Sequence, residues 1–234
     1  MRAIVQPLSE ADMQQRWTLA NRPIFPAYNG WGIPQLLSQA VTLPDRLALK
    51  RSWSGAGSLV NDRTLQPLPG STICFYVDDY RIEPLWNRPL ASLRRLEDLL
   101  PAAVIEPDFS QYSDHPAAVA IWNLYRSRWV ARYWQEHGLT VIPSLNWNAQ
   151  MLDMIGLGIP RGAVVACEAR PRFKDSRLLL AGLRAAVKQI APAAVLLYGA
   201  ADGLREQVPS GPEYRWLPAW SPRKRIEAQS KRHE

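Results

Sequence analysis

The 234-residue chain holds only two cysteines and three histidines, and just five of its 28 basic residues are lysine, leaving 23 arginines. It also has no run of about 18 apolar residues, which excludes a membrane-spanning helix. The opening MRAIVQPLSEADMQQRW has a short apolar patch broken by Pro7 and followed by acids. That patch is too short for a signal-peptide core, so the reading is a cytoplasmic protein with no membrane partner. Cys74 and Cys167 fall inside expected strands, with no CxxC partner and no nearby histidine. They read as small buried hydrophobes, and a zinc site of the Cys/His type is excluded. His115 and His137 stand at expected helix ends and His233 in the tail, so a serine or cysteine nucleophile has little histidine to rest on.

The charge is +7, of which the tail Ser221 to Glu234 carries +3 through Arg223, Lys224, Arg225, Lys231 and Arg232 against Glu227 and Glu234, leaving +4 for the body. Such basicity is a modest polyanion signal, and an arginine-rich genome produces it with no functional pressure. The tail, residues 221–234, has no apolar face to fold against and is expected to be disordered. Residues 1–220 are expected to form one α/β domain with an irregular N-terminal arm.

What the sequence does supply is a repeating unit. Ala103 to Ile105 is a short apolar run ended by Glu106-Pro107-Asp108, and Val141-Ile142 leads through Pro143 to Asn146-Trp147. Between them Pro116 suits a first helical turn, Gly138 suits the position just past a helix, and Ala118, Ile121, Trp122, Tyr125, Trp129 and Tyr133 recur at three- and four-residue steps. This is a βαβ crossover joining parallel strands. Arg126, Arg128 and Arg132 fall toward other faces, either as a solvated basic face or as a phosphate-contacting stripe.

The same logic extends both ways. Ile73 to Val77 ends in Asp78-Asp79 and Glu83, Val164 to Cys167 ends in Glu168, and Val195 to Tyr198 reaches Asp202. Tyr214 to Leu217 offers a sixth strand, and helical patterns cover Leu90 to Leu100, Pro116 to His137 and Ser176 to Ile190. Strands alternating with helices predict an α/β fold with a mainly parallel sheet, small or irregular barrel-like, with an open doubly wound sheet as the alternative. Residues 35–41 suggest a further helix. The WSGAGS run at 52–57 is neither a Walker loop nor a dinucleotide fingerprint and reads as a surface turn.

Ligands bind at the carboxyl edge of parallel sheets, so the chemistry is sought there. Asp78, Asp79, Glu106 and Asp108 form the strongest candidate cluster for acid, base or nucleophile work. Asp78, Glu106 and Asp108 are the candidate ligands for Mg²⁺ or Mn²⁺, since an oxygen-rich site suits those ions. Arg81 and Asn146 would orient a substrate, and Trp147, Tyr112 and Trp31 would offer planes for a base or sugar. Arg128, Arg132 and the tail residues Arg223, Lys224 and Arg225 would hold a polyanion.

The blocks GWGIP (30–34), FYVDDYRIEPLW (75–86), VIEPDFSQY (104–112), IWNLYRSRWVARYWQ (121–135) and VIPSLNW (141–147) occur in order. Together they resemble the signature of a family of bacteria, phages and plasmids, a domain of unknown function numbered four-four-one-seven, over residues 21–200. The resemblance implies an origin in a mobile element or its host, and no activity. The preferred functional expectation is a metal-assisted hydrolase or transferase acting on a nucleic acid, nucleotide or sugar phosphate. The alternatives are a non-catalytic DNA- or RNA-binding module serving a phage or plasmid, and an interaction protein whose acidic mouth grips a basic loop.

Overall fold

The computed structural model describes residues 22–44, 47–49, 70–170, 175–200 and 202–218. The tail with Arg223, Lys224 and Arg225, the WSGAGS run, the first 21 residues and the expected boundary at 220 lie outside the described residues. Among those described, seven short strands form: β1 Leu47–Leu49, β2 Thr72–Cys74, β3 Ala103–Ile105, β4 Val141–Ile142, β5 Val164–Glu168, β6 Ala194–Tyr198 and β7 Glu213–Leu217. Four α-helices accompany them: α1 Asp79–Asn87, α2 Pro89–Leu99, α3 Ala117–Glu136 and α4 Ser176–Ile190.

Every strand pairing is parallel, in the order β1-β2-β3-β4 in one sheet and β5-β6-β7 in the other. The two sheets meet where Ser144 bridges Ala166, with Leu145 N donating to Ala166 O at 2.7 Å. The order therefore runs sequentially, without the reversal that a doubly wound sheet requires. The strands curl around a shared interior: Cys74, Tyr76, Ala103, Ile105, Ile142, Ala166, Leu196, Tyr198 and Leu217 form one core cluster drawn from both sheets. Tyr76, just beyond β2, stacks on Tyr198 of β6 at 5.3 Å between centroids. The barrel is not closed, because β1 and β7 do not pair among the described residues.

Two features depart from the sequence reading. Helix α1 follows β2 where the sequence reading placed no helix, although Pro84 sits inside it. Proline removes one backbone donor and is normally a helix breaker, but here the Pro84 carbonyl accepts from Arg88 N at 2.8 Å and from the Ser92 hydroxyl at 3.0 Å, so the chain turns directly into α2. The helix expected over 35–41 is absent, because its backbone groups find partners elsewhere. Gln35 N donates to Pro26 O and Leu36 N to Gly158 O, both at 2.8 Å, and Leu37 N donates to Gln135 Oε1 at 2.7 Å. Residues 22–43 are a strap laid over α3. At Gly158, with φ +75°, an added Cβ would stand 2.3 Å from Pro34 O, so only glycine admits the strap there.

The strap explains why α3 does not present a solvated basic face. From Asn123 onward nearly every side chain of α3 is buried, since the sheet covers one side and the strap and α1 cover the rest, while Ala118 on the expected apolar face is exposed. Trp129 Nε1 donates to Pro23 O at 2.9 Å, and Arg132 Nη1 donates to Gln35 O.

Helix α4 is capped by Asp175, whose carboxylate accepts from Leu178 N at 2.8 Å. Its Gly182 is buried against the Trp147 indole, where an added Cβ would lie 1.9 Å from the ring. Trp147 has no room to yield, being fully buried with Nε1 donating to Leu178 O. Glycine-to-alanine in a helix interior normally gains up to about 1 kcal/mol, but the overpacking term of roughly 1 to 3 kcal/mol opposes it. Gly182→Ala is therefore expected to lower the urea midpoint at unchanged slope, and an increase would show that the indole is not seated there.

Candidate functional site

Side chains alternate along a strand, so each strand sends every second residue to the interior. Along β5 and just past it that parity takes Ala166, Glu168 and Arg170 inward; in β6 it takes Leu196 and Tyr198; along β2 and just past it, Cys74 and Tyr76. At the carboxyl ends of five consecutive strands the interior residues change from apolar to polar. They are Tyr76, Asp108, Ser144, Glu168, Arg170 and Tyr198.

These six are joined. Arg170 is ion-paired with Glu168, its Nη2 donates to Tyr76 O at 3.2 Å, and its guanidinium lies 5.5 Å from the Tyr198 ring centroid. The Ser144 hydroxyl donates to Asp108 Oδ1 at 3.5 Å. The Tyr76 hydroxyl is buried beside them, and burial, reinforced by the negative charge of Asp108, pushes it well above the usual tyrosine range. Glu168 and Arg170 each keep about 15% of their side-chain surface exposed, and Asp108 is half-buried. The mouth thus has reachable charged groups over a buried floor of Tyr76, Tyr198 and Ser144. Cys74 lies beneath, and burial pushes its thiol up to about 12, in keeping with an unreactive core cysteine.

Of the four candidate catalytic acids Asp78, Asp79, Glu106 and Asp108, only Asp108 stands in this mouth. Glu106 has the opposite parity to Ile105, so it leaves the interior and points to α3, where it is fully buried against Arg128. Its Oε2 also accepts from Ser144 N at 2.7 Å. Burial pushes the Glu106 carboxyl up, with Arg128 and the Ser144 N–H pulling the other way. Asp79 opens α1 and pins the loop after β3, accepting from the Ser110 hydroxyl at 2.7 Å and from Ser110 N at 3.2 Å. Asp78 is exposed and pairs with Arg81 at 3.1 Å. The four carboxylates are thus engaged with protein groups: Asp78 with Arg81, Asp79 with Ser110, Glu106 with Arg128 and the Ser144 N–H, and Asp108 with the Ser144 hydroxyl. Among the described residues no three His, Cys, Asp or Glu side chains gather to hold a metal ion. Asp78, Glu106 and Asp108 do not fit a shared Mg²⁺ or Mn²⁺, because their polar environments point to different places.

The remaining residues are placed as follows. Asn146 donates to Phe109 O at 2.9 Å and ties two loops together. Trp147 is core wall. Tyr112 and Trp31 are exposed, at 57% and 55%. Tyr112 meets the His115 ring edge-on, and Trp31 belongs to a strap turn in which Asn29 Oδ1 accepts its backbone N–H. Arg128 and Arg132 are buried, paired with Glu106 and Glu136, and Arg126 is paired with Glu83 at 2.7 Å. None of the three forms a surface stripe. Sequence reasoning missed Tyr76, Ser144, Glu168, Arg170 and Tyr198 as one constellation, and counting by two from the interior residues Cys74, Ile142, Ala166 and Leu196 would have found all five; only Asp108, past Pro107, falls outside that count.

A family model described as Domain of unknown function (DUF4417) matches residues 25–210, a span that includes all five sequence blocks. Two similar curated proteins are each named Gene 1 protein. The one from Mycobacterium phage D29 is 35% identical over 182 residues, covering 76% of this chain and 64% of the relative. The one from Mycobacterium phage L5 is 35% identical over 152 residues, covering 63% and 66%. The chain spans about two thirds of the length of these relatives. The phage link expected from the resemblance is thereby shown, and the plasmid link finds no support. No solved structure matches the chain.

Proposed function

The chain belongs to the family of the domain of unknown function DUF4417, and from that premise we propose that its strand-end mouth binds a small substrate carrying an anionic group, a nucleotide or sugar phosphate, and acts on it as a hydrolase or transferase. The single observation that carries this reading is the convergence of Tyr76, Asp108, Ser144, Glu168, Arg170 and Tyr198 from five consecutive parallel strands. Arg170 is held on two sides, by Glu168 and by the Tyr76 carbonyl, so its planar guanidinium is positioned before any ligand arrives. A prepositioned fork of that kind suits phosphate or carboxylate. Asp108, with the Ser144 hydroxyl donating to it, is the candidate general base, and the buried Tyr76 hydroxyl, held protonated, is the candidate acid. No step is routed through a metal, since the carboxylates do not converge on one.

A polymer substrate gains nothing from α3, whose arginines are buried and paired. The small-ligand form is therefore preferred over the nucleic-acid form of the same reading.

Melting curves with millimolar nucleoside phosphates and sugar phosphates test the proposal. A true ligand at about 100 times its Kd stabilises by about 2.7 kcal/mol, roughly 5 to 10 °C at this chain length. Arg170→Met is expected to abolish the shift. Asp108→Asn is expected to keep most of the shift while losing turnover, followed as product by chromatography. A panel that leaves the melting temperature unmoved, or an Arg170→Met variant that responds like the parent, would sink the reading.

A further inference from the structure

Among the described residues Arg81, Arg95, Arg126, Arg128, Arg132, Arg170 and Arg215 are ion-paired with carboxylates. Helix α4 differs from these. Its sequence SRLLLAGLRAAVKQI contains no acid, and its Arg177, Arg184 and Lys188 are exposed. Among the described residues none of the three takes part in an ion pair, and the acids nearest in sequence do not reach them. Asp175 is engaged with the helix end.

The spacing is orderly. Steps of seven and four residues bring Arg177, Arg184 and Lys188 to within about 40° of one another around the helix, along a straight rise of about 16 Å. Arg161, also exposed, donates to Gln189 O at 3.1 Å and so extends the row past Lys188. The opposite face of α4, with Leu179, Leu180, Leu183, Ala186 and Ile190, is buried in the core. A membrane surface is thus a poor partner, because α4 has no free apolar face to insert.

We propose that the outward face of α4 is a docking surface for the phosphate backbone of nucleic acid. A rigid row of cations with no interspersed acid complements uninterrupted negative charge. Folded protein surfaces mix both signs, and this row gives a partner's basic groups nothing to pair with. A duplex presents about one phosphate per 1.7 Å of axis, so a 16 Å row can meet several at once. The net charge of +7 favours the encounter. The surface lies on the outer wall, not in the mouth, so it stands independently of the small-ligand reading.

The test is fluorescence anisotropy of labelled mixed-sequence oligonucleotides, single- and double-stranded, with the full chain between about 50 and 200 mM salt, the range over which phosphate contacts weaken most visibly. The triple variant Arg177→Gln/Arg184→Gln/Lys188→Gln is expected to bind duplex more than about tenfold more weakly at the lowest salt, with a log–log salt slope flatter by about 2.7 units for three lost contacts. Its melting curve should match the parent, since all three side chains are exposed. A second variant in the full chain, Arg223→Gln/Lys224→Gln/Arg225→Gln, separates the tail. Parent protein that binds no oligonucleotide, a slope altered by the tail variant alone, or polyglutamate competing as well as the oligonucleotide would each overturn the assignment.

Discussion

Replacing Arg128 with methionine is expected to cost about 3 to 5 kcal/mol, the usual loss when one partner of a buried ion pair is removed, or about 6 to 20 °C in melting temperature for a chain of this size. The reason is local and specific. Arg128 and Glu106 are essentially inaccessible, Arg128 Nε donates to Leu157 O at 2.8 Å, and Glu106 also accepts from Ser144 N. Without the guanidinium, Glu106 is a carboxylate in an apolar enclosure, so its folded pKa climbs further above the unfolded value. An acid whose folded pKa is raised binds more protons folded than unfolded. Its contribution to stability is thus intact below the unfolded pKa near 4.3 and is lost as pH rises through the folded pKa. The variant should accordingly be less impaired at pH 4 to 5 than at pH 8. Adding Glu106→Leu should recover roughly half the loss and remove its pH dependence, since apolar replacements of buried pairs are tolerated but Ser144 N and Leu157 O lose partners. A single variant that melts like the parent at pH 8 would mean that the pair is not sealed from water.

Trp129→Ala is expected to cost a similar 3 to 5 kcal/mol, the range for emptying a large aromatic site. Trp129 is fully buried at the junction of three pieces of chain. It stacks on Tyr133 at 5.2 Å, meets Trp86 edge-on at 5.3 Å, packs on Phe25 at 5.6 Å, and has the Arg22 guanidinium 4.8 Å from its ring centroid. Burial among these rings lowers Arg22 to about 10. Losing Trp129 also removes the donor to Pro23 O, so the strap should open ahead of the rest of the molecule. Limited proteolysis checks this: cleavage within residues 22–43 should accelerate more than cleavage elsewhere. Uniform acceleration would show that the indole stabilises the core without holding the strap.

These two residues mark where the sequence was legible and where it was not. The α3 periodicity identified the helix and the aromatic face containing Trp129, because apolar spacing is a local property. It misjudged Arg132 because the strap, whose Gln35 O lies 97 residues earlier, covers it, and Arg128 because its partners Glu106 and Leu157 O come from 22 and 29 residues away, and no local pattern reveals either. The strands after Thr72 were readable from short apolar runs ended by acids, and β6 and α4 came out nearly to the residue. Helix α1 was hidden by Pro84, and β1 lacks the acid or amide that marks the ends of most of the other runs, being followed by Lys50. In the candidate site, position at a strand end was readable, but the direction of each side chain was not used. Glu106 and Asp108 look equivalent in VIEPDF, and strict alternation would send both to α3, but β3 ends at Ile105 and the chain changes course at Pro107, so Glu106 is buried against Arg128 while Asp108 stands beside Ser144 in the mouth. Arg170 was invisible as a site residue because its role depends on Glu168, Tyr76 and Tyr198, brought together by the curl of two sheets.

The account rests most heavily on the mouth as the ligand site, and a crystal structure with a phosphate-bearing ligand from the melting panel tests it most directly. The expected result is ligand density at the strand ends, its anionic group within hydrogen-bond distance of the Arg170 guanidinium and its reacting centre near Asp108 and Tyr76. Ligand bound elsewhere, with Arg170 and Asp108 facing only protein, would contradict it.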